Sequence, residues 1–72
     1  MLKLYKYEDC KPWETVYYLI AESTKENVLD RLKPLVEVII YLSDIIEQDT
    51  EVQFSKSGII SSITIDNPNY YG

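Results

Sequence analysis

The sequence predicts an α+β fold in which a small antiparallel sheet of two hairpins (ββαββ) carries one long, Pro-kinked helix on one face. Residues 2–7 and 59–65 alternate with a period of two, which is typical of strands. Residues 26–51 instead follow the period of an amphipathic helix. At 72 residues we expect a single domain, 1–72, with a flexible tail at 67–72.

The first hairpin is predicted from the first 21 residues. From Leu2 to Tyr7 successive side chains alternate between two faces: Leu2, Leu4 and Lys6 lie on one face, and Lys3, Tyr5 and Tyr7 lie on the other. Trp13 to Ala21 is rich in aromatic and β-branched residues, which favour a strand. Because only about five residues separate the two segments, we expect them to pair antiparallel.

A capping box, Ser23 to Glu26, marks the start of the predicted helix. At 100° per residue, the polar side chains that follow fall within roughly 80° of arc. This polar arc consists of Glu26, Asp30, Lys33, Glu37, Tyr41, Asp44, Gln48 and Glu51. The opposite side holds an apolar stripe of Val28, Leu32, Leu35, Ile39, Leu42 and Ile46. Pro34 removes a backbone hydrogen bond within this pattern, so we expect a kink near Lys33. Residues 35–42 are also dense in β-branched side chains, and a strand there is the alternative.

The second hairpin is predicted from residues 50–65. Thr50 to Ser55 alternates with Val52 and Phe54 directed inward, and Ile59 to Ile65 alternates again. Between them, residues 56–58 form a turn in which Gly58 can adopt positive φ.

The sequence contains no motif that is typical of a catalytic, cofactor-binding or metal-binding site. The chain has no His and two glycines, which removes the usual catalytic triads and phosphate-binding loops. Cys10 is the only cysteine, so we expect an inert thiol and a reducing, cytoplasmic setting. The acidic run from Asp44 to Glu51 lacks the residue pattern of a calcium loop. We therefore predict a protein that is not an enzyme, with no cofactor, no metal and no membrane span.

The net charge of −5 is concentrated in one segment. Residues 34–55 hold five carboxylates and no Lys or Arg, while the remaining residues hold seven acids and seven bases. An acidic surface favours a basic partner and disfavours direct binding to nucleic acid or to an anionic membrane. The predicted partner-binding surface is the acidic face Glu26, Asp30, Glu37, Asp44, Glu47, Asp49 and Glu51.

Tyrosine and surplus apolar residues indicate a further interface. Seven tyrosines in 72 residues is a high number, and tyrosine is enriched where proteins meet, although tyrosines that cover sheet edges are an equal alternative. The predicted helix carries more apolar surface than one sheet contact needs. Leu29, Val36, Val38, Ile40 and Ile45 flank its stripe. This surplus favours a homodimer, with a broad helix on a twisted sheet as the alternative.

The opening segment 2–8 (Leu-Lys-Leu-Tyr-Lys-Tyr-Glu), followed by residues 13–23 leading into a helix, resembles small phage-encoded early proteins. Some of these are acidic host-takeover factors, including a DNA-mimic inhibitor of the bacterial nucleoid protein HU. The resemblance covers about the first third of the chain and transfers no functional residue. It implies a dimeric phage protein in the host bacterial cytoplasm that binds a basic DNA-binding partner.

Three functions remain open. The first is an inhibitor whose carboxylates occupy the lysines and arginines of an HU-like protein and so exclude DNA. The second is a small dimeric structural module whose acidic face only keeps it dissolved. The third is a phage inhibitor of a nuclease-type defence complex, which shares the first mechanism and differs in its target. Salt separates the first from the second, because a charge-driven complex weakens as ionic strength rises.

Overall fold

The computed structural model describes residues 1–70, with the side chain of Tyr70 left out, and it contains a four-stranded antiparallel sheet and one short helix. The strands are β1 (Lys3–Cys10), β2 (Glu14–Glu22), β3 (Ile46–Gln48) and β4 (Gly58–Asp66), and the helix is α1 (Lys25–Leu32). Two short 3-10 helices span Leu42–Asp44 and Pro68–Tyr70. The α+β class, the antiparallel sheet and the order ββαββ are confirmed.

The first hairpin forms as predicted. β1 and β2 pair antiparallel from Lys3↔Glu22 to Cys10↔Thr15. One face of this hairpin is buried and the other is only partly covered, because alternate side chains point to opposite sides. Tyr5, Tyr7 and Tyr18 lie on the buried face, whereas Tyr17 points to the other side and is half-buried.

The prediction of one long helix is wrong, because α1 ends at Leu32. The amides of Leu35 and Val36 both bond back to the Leu32 carbonyl, 2.9 and 3.0 Å away, and residues 36–41 form no further helical turn. Pro34 has no amide to donate and its ring clashes with a preceding carbonyl, so the chain leaves the helix there instead of kinking. Residues 35–41 are irregular, so neither the helix nor the alternative strand at 35–42 is correct.

The helix cap lies one residue beyond the predicted capping box at Ser23, and within residues 1–70 no hydrogen bond to the Glu26 carboxylate completes the box. Thr24 is the N-cap, and its hydroxyl accepts from the Asn27 amide at 3.2 Å. The Ser23 hydroxyl accepts from the Asn27 side-chain amide at 3.1 Å. The start of the helix was therefore placed correctly, with a neighbouring hydroxyl as its cap.

The prediction of a second hairpin is wrong. Residues 50–55 are not a strand, and Val52 is exposed and not directed inward. β4 pairs instead with β2, from Glu14↔Asp66 to Ala21↔Gly58, while the short β3 pairs with β1. The sheet order is therefore β3-β1-β2-β4, with one added strand at each edge of the first hairpin. Gly58 does adopt positive φ, at 138°.

The core lies between one face of the sheet and a layer made by α1 and the chain that follows it. The sheet contributes Tyr5, Tyr7, Val16, Tyr18 and Ile20. The covering layer contributes Val28, Leu32, Val36, Ile40 and Ile45. Val36, Ile40 and Ile45, which the sequence predicts as surplus apolar surface of the helix, are therefore buried in the core of the single chain. We call the other side of the sheet the open face.

Beyond β4, Asn67 is tied to the start of β2. Its amide donates to the Trp13 carbonyl at 2.9 Å and its side chain donates to the Pro12 carbonyl at 3.0 Å. Residues 68–70 then form the second 3-10 helix. Residues 71–72 of the predicted tail lie outside the described residues.

Candidate protein-interaction surfaces

The seven acidic residues of the predicted surface do not share a helix face. Two of them, Glu26 and Asp30, lie on α1. The other five follow α1 in the connection to β3 (Glu37, Asp44), in β3 (Glu47) and after it (Asp49, Glu51). All seven are exposed. The regular spacing that one long helix would have produced is therefore absent.

Some of these carboxylates meet the molecule's own cations. Asp30 lies 3.5 Å from Lys33, and Glu47 lies 3.7 Å from Lys3 across the β1–β3 pair. Both pairs are at least half-exposed, and such pairs contribute about 0–1 kcal/mol. Asp44 accepts from the Tyr41 amide at 3.2 Å, which closes the 3-10 turn. Within residues 1–70, Glu26, Glu37, Asp49 and Glu51 have no ion pair.

A groove of about 690 Å³ lies beside the second half of β1. β3 pairs only with Leu4–Lys6, so residues 7–10 of β1 have no strand partner on this side within the described chain. The opposite wall is the connection 38–46. Exposed apolar side chains line that wall: Val38, Ile39 and Tyr41, of which 62%, 79% and 63% of the surface is accessible.

Carboxylates also line the groove. Asp44 lies on the connection and Asp9 on β1. Asp9 is only 3% exposed, and within residues 1–70 its Oδ2 accepts no hydrogen bond and lies 3.6 Å from Lys11 Nζ. Burial, together with the negative charges of Asp9 and Asp44, raises the pKa of Tyr7 above its usual value. The pKa of Lys11 is also raised, because the carboxylates of Asp9 and Glu14 outweigh the desolvation that lowers it. Three carboxylates (Glu8, Asp9 and Asp44) and one cation (Lys6) line the groove, so its lining carries a net negative charge.

The exposed apolar wall of the groove was missed by sequence reasoning. Ile39 was placed on the buried stripe of one helix, and Val38 on its flank. The signal that could have found them is Pro34: if the helix ends there, the helical phase no longer assigns these side chains to a core.

A second apolar surface lies at the other edge of the sheet. β4 carries Ile59, Ile60, Ile63 and Ile65, and all four are exposed. The register places Ile63 and Ile65 on the open face beside the half-buried Tyr17 and Leu19. The sheet thus has an apolar edge at β4, whereas β3 at the other edge carries Glu47 and is followed by Asp49 and Glu51.

Within residues 1–70, no three Cys, Asp or Glu side chains are arranged to hold a metal ion. Cys10 is a free, exposed thiol. No helix in the described part of the chain is long and apolar enough to cross a membrane. Comparison of the chain with protein-family models, with curated proteins and with solved structures finds no match.

Proposed function

We propose that this chain is a non-enzymatic interaction module that binds a basic, extended segment of another protein in the groove beside β1. The observation that carries the proposal is the coincidence of three features in one groove. These are a stretch of β1 without a strand partner, exposed apolar side chains, and the carboxylates of Asp9 and Asp44.

Each feature has a physical role in recognition. An extended peptide that lies along residues 7–10 adds a strand to the sheet, and main-chain hydrogen bonds supply affinity. Val38, Ile39 and Tyr41 offer apolar contact to the aliphatic stems of lysine or arginine, whose charged ends then reach carboxylates. Cations on the partner are favoured because the segment 34–55 contains no Lys or Arg of its own.

Exclusion of DNA is part of the same proposal. A bacterial DNA-binding protein of the HU kind binds DNA through lysines and arginines, and a bound acidic competitor would occupy those groups. The support here is the sign and exposure of the charges on residues 37–51, which do not lie on one helix face. On this proposal the protein works in the bacterial cytoplasm and does not bind nucleic acid itself.

The test is affinity capture from bacterial lysate in parallel with a charge-reversed variant. The wild-type chain should retain a basic protein at about 50 mM salt and lose it steeply towards about 200 mM, as charge-driven contacts are screened. The triple variant Glu37→Lys, Asp44→Lys, Glu47→Lys should not retain it. Of these residues Asp44 lines the groove, and Glu37 and Glu47 are next in sequence to the lining residues Val38 and Ile46. The control is Glu26→Lys, Asp30→Lys on α1, which also reverses exposed charges and lies outside the groove.

The captured protein is then purified and tested for displacement from DNA. A second variant, Val38→Ser with Ile39→Ser, removes apolar contact without changing charge. The triple charge-reversed variant and the Val38→Ser, Ile39→Ser variant should both weaken binding and DNA displacement. If the triple variant binds and displaces DNA as well as the wild type, the proposal is wrong.

A dimeric structural module is the second candidate, and two observations favour it. Lys3–Glu47 and Lys33–Asp30 neutralise part of the acidic surface within the molecule, and β4 exposes a row of isoleucines. On this reading the remaining carboxylates only keep the protein dissolved. Association of the chain would then be nearly insensitive to salt, and the lysate would yield no partner that depends on charge.

A further inference from the structure

β4 is an edge strand whose outer side is unpaired in the described part of the chain. It runs for nine residues, Gly58–Asp66, and pairs on its inner side with β2. Long, apolar, unpaired strands are templates for pairing with another chain, and proteins usually blunt them with Lys, Pro or a bulge. β4 has a register shift opposite Leu19 and Ile20, next to Ile60, but no Lys or Pro. Its second half, residues 61–66, is regular.

The register shows which backbone groups point outward. The Asn67 amide donates to the Trp13 carbonyl at 2.9 Å, which marks that pair as hydrogen-bonded. In an antiparallel ladder, hydrogen-bonded and non-hydrogen-bonded pairs alternate. Ile65 and Ile63 therefore bond to β2, whereas Ser62, Thr64 and Asp66 direct their N–H and C=O groups to the free edge.

The free edge suits a second copy of the same chain because its one charged residue, Asp66, lies at its end. No charged residue occurs from Gly58 to Ile65. The acidic β3 lies at the opposite edge, and in a sheet continued through β4 the two β3 strands would be seven strand spacings apart, about 34 Å. Since charges are screened over about 8 Å at physiological salt, the net charge of −5 does not oppose this contact. A highly charged peptide would gain no charge contact there.

We propose that β4 pairs antiparallel with β4 of a second copy across a two-fold axis at Thr64, which produces an eight-stranded sheet. In this register Thr64 faces its own copy and Ser62 faces Asp66 of the second copy. Ile63 faces Ile65 of the second copy on the open face, twice by symmetry, and cross-strand apolar pairs of this kind stabilise sheets.

The other registers are less favourable. A two-fold axis at Ile63 or at Ile65 gives one apolar pair instead of two, because Ile65 then faces Ser61 or Ile63 faces Asn67. A two-fold axis at Ser62 places the irregular Ile60 opposite Thr64 and interrupts the ladder. An axis at Asp66 places two carboxylates directly opposite each other, where like charges repel. This inference goes beyond the proposed function and does not depend on it, since the groove and the acidic residues 37–51 lie towards the other edge of the sheet.

Thr64→Pro tests the pairing directly. Proline removes only the Thr64 N–H, which faces outward, so the β2–β4 ladder is retained. Sedimentation velocity of the full chain from about 10 μM to about 1 mM should show a monomer–dimer equilibrium. Because two ladder hydrogen bonds are lost per dimer, Thr64→Pro should raise the dissociation constant about tenfold or more. Thr64→Val, which keeps the amide, should dimerise like the wild type.

A cross-link keeps the proposal testable if the proline variant does not fold. In a Cys10→Ser background, Thr64→Cys places two thiols opposite each other at a Cα separation of about 5.5 Å, within the range of a disulfide. Oxidation should give a covalent dimer, whereas Gln53→Cys, in an exposed segment, should not. A wild-type chain that stays monomeric throughout overturns the proposal. So does a folded Thr64→Pro variant that dimerises unchanged, which would indicate stacking of the open faces instead.

Discussion

The guanidinium of Arg31, in the last turn of α1, donates a hydrogen bond to the buried carboxylate of Glu22 at the end of β2. The same guanidinium donates to the Ser57 hydroxyl at 2.9 Å, just before β4 begins. One side chain therefore joins the helix to a central strand and to the turn that leads into the edge strand.

We expect Arg31→Met to destabilise the fold by about 1–3 kcal/mol. Removal of one partner of a fully buried ion pair costs about 3–5 kcal/mol. We expect a smaller loss for this pair because 41% of the Arg31 side chain is exposed. The measurement is urea unfolding followed by circular dichroism. The double variant Arg31→Met, Glu22→Gln should recover much of the loss, because no unpaired charge is then buried. A single variant within about 0.5 kcal/mol of the wild type would contradict this role.

Two leucines on either side of Pro34 test where the helix ends. Leu32 is fully buried, whereas Leu35 is 48% exposed, although both lie on the apolar stripe of the long helix that the sequence predicts. Leu32→Ala should cost about 2–5 kcal/mol through lost contact and cavity formation. Leu35→Ala should cost under about 1 kcal/mol. Urea unfolding of both variants measures the difference, and equal losses would indicate that the helix continues through Pro34.

The end of the helix at Pro34 separates what could be predicted from the sequence from what could not in the first half of the fold. Local patterns are sufficient for β1, β2 and the start of α1, because alternation and a hydroxyl cap are decided within a few residues. Polar residues from Glu37 to Glu51 continue the helical phase by coincidence. The missing amide of Pro34 outweighs that pattern, since Val36 and Ile40 can reach the core from an irregular chain.

The partner of β4 could not be predicted from local patterns either. Residues 50–55 and 59–65 both alternate and are separated by a turn, which favours a hairpin. β2 offers a longer apolar edge, however, and β4 pairs with it across more than 30 residues of intervening chain. Of the candidate site, the exposure of the acidic residues could be predicted. The groove could not, because it requires β1 and the connection 38–46 to be brought together in space.

Gly58 provides a test of the backbone at the start of β4. Its φ of 138° is a conformation that residues with a Cβ rarely adopt. An added Cβ would meet only Arg31 Nη1, at an ordinary contact distance of 3.8 Å, so the cost of Gly58→Ala is backbone strain. We expect a loss of about 1–3 kcal/mol in the free energy of unfolding. Ser55→Ala, in the exposed segment just before, should lose under about 0.5 kcal/mol. A Gly58→Ala variant as stable as the wild type would contradict the strain.

The stability of the fold should fall at alkaline pH, and Tyr7 should account for part of the loss. Burial, with Asp9 and Asp44 nearby, raises the pKa of Tyr7 above the value of 10.0 expected in the unfolded chain. A group whose pKa is raised by folding stabilises the fold fully below its unfolded pKa, and this contribution is lost as pH rises through the folded value. Lys11, whose pKa is raised above 10.5, contributes in the same direction and window.

Tyr7→Phe keeps the buried ring and removes the ionisable group. The free energy of unfolding, measured in urea at about pH 8, 10 and 11, should decline less steeply above pH 10 in this variant than in the wild type. The part due to Lys11 remains in both proteins. Tyr17→Phe, on the open face, is the matched control for the loss of one phenol from the sheet. If Tyr7→Phe declines as steeply as the wild type, then ionisation of Tyr7 does not limit alkaline stability.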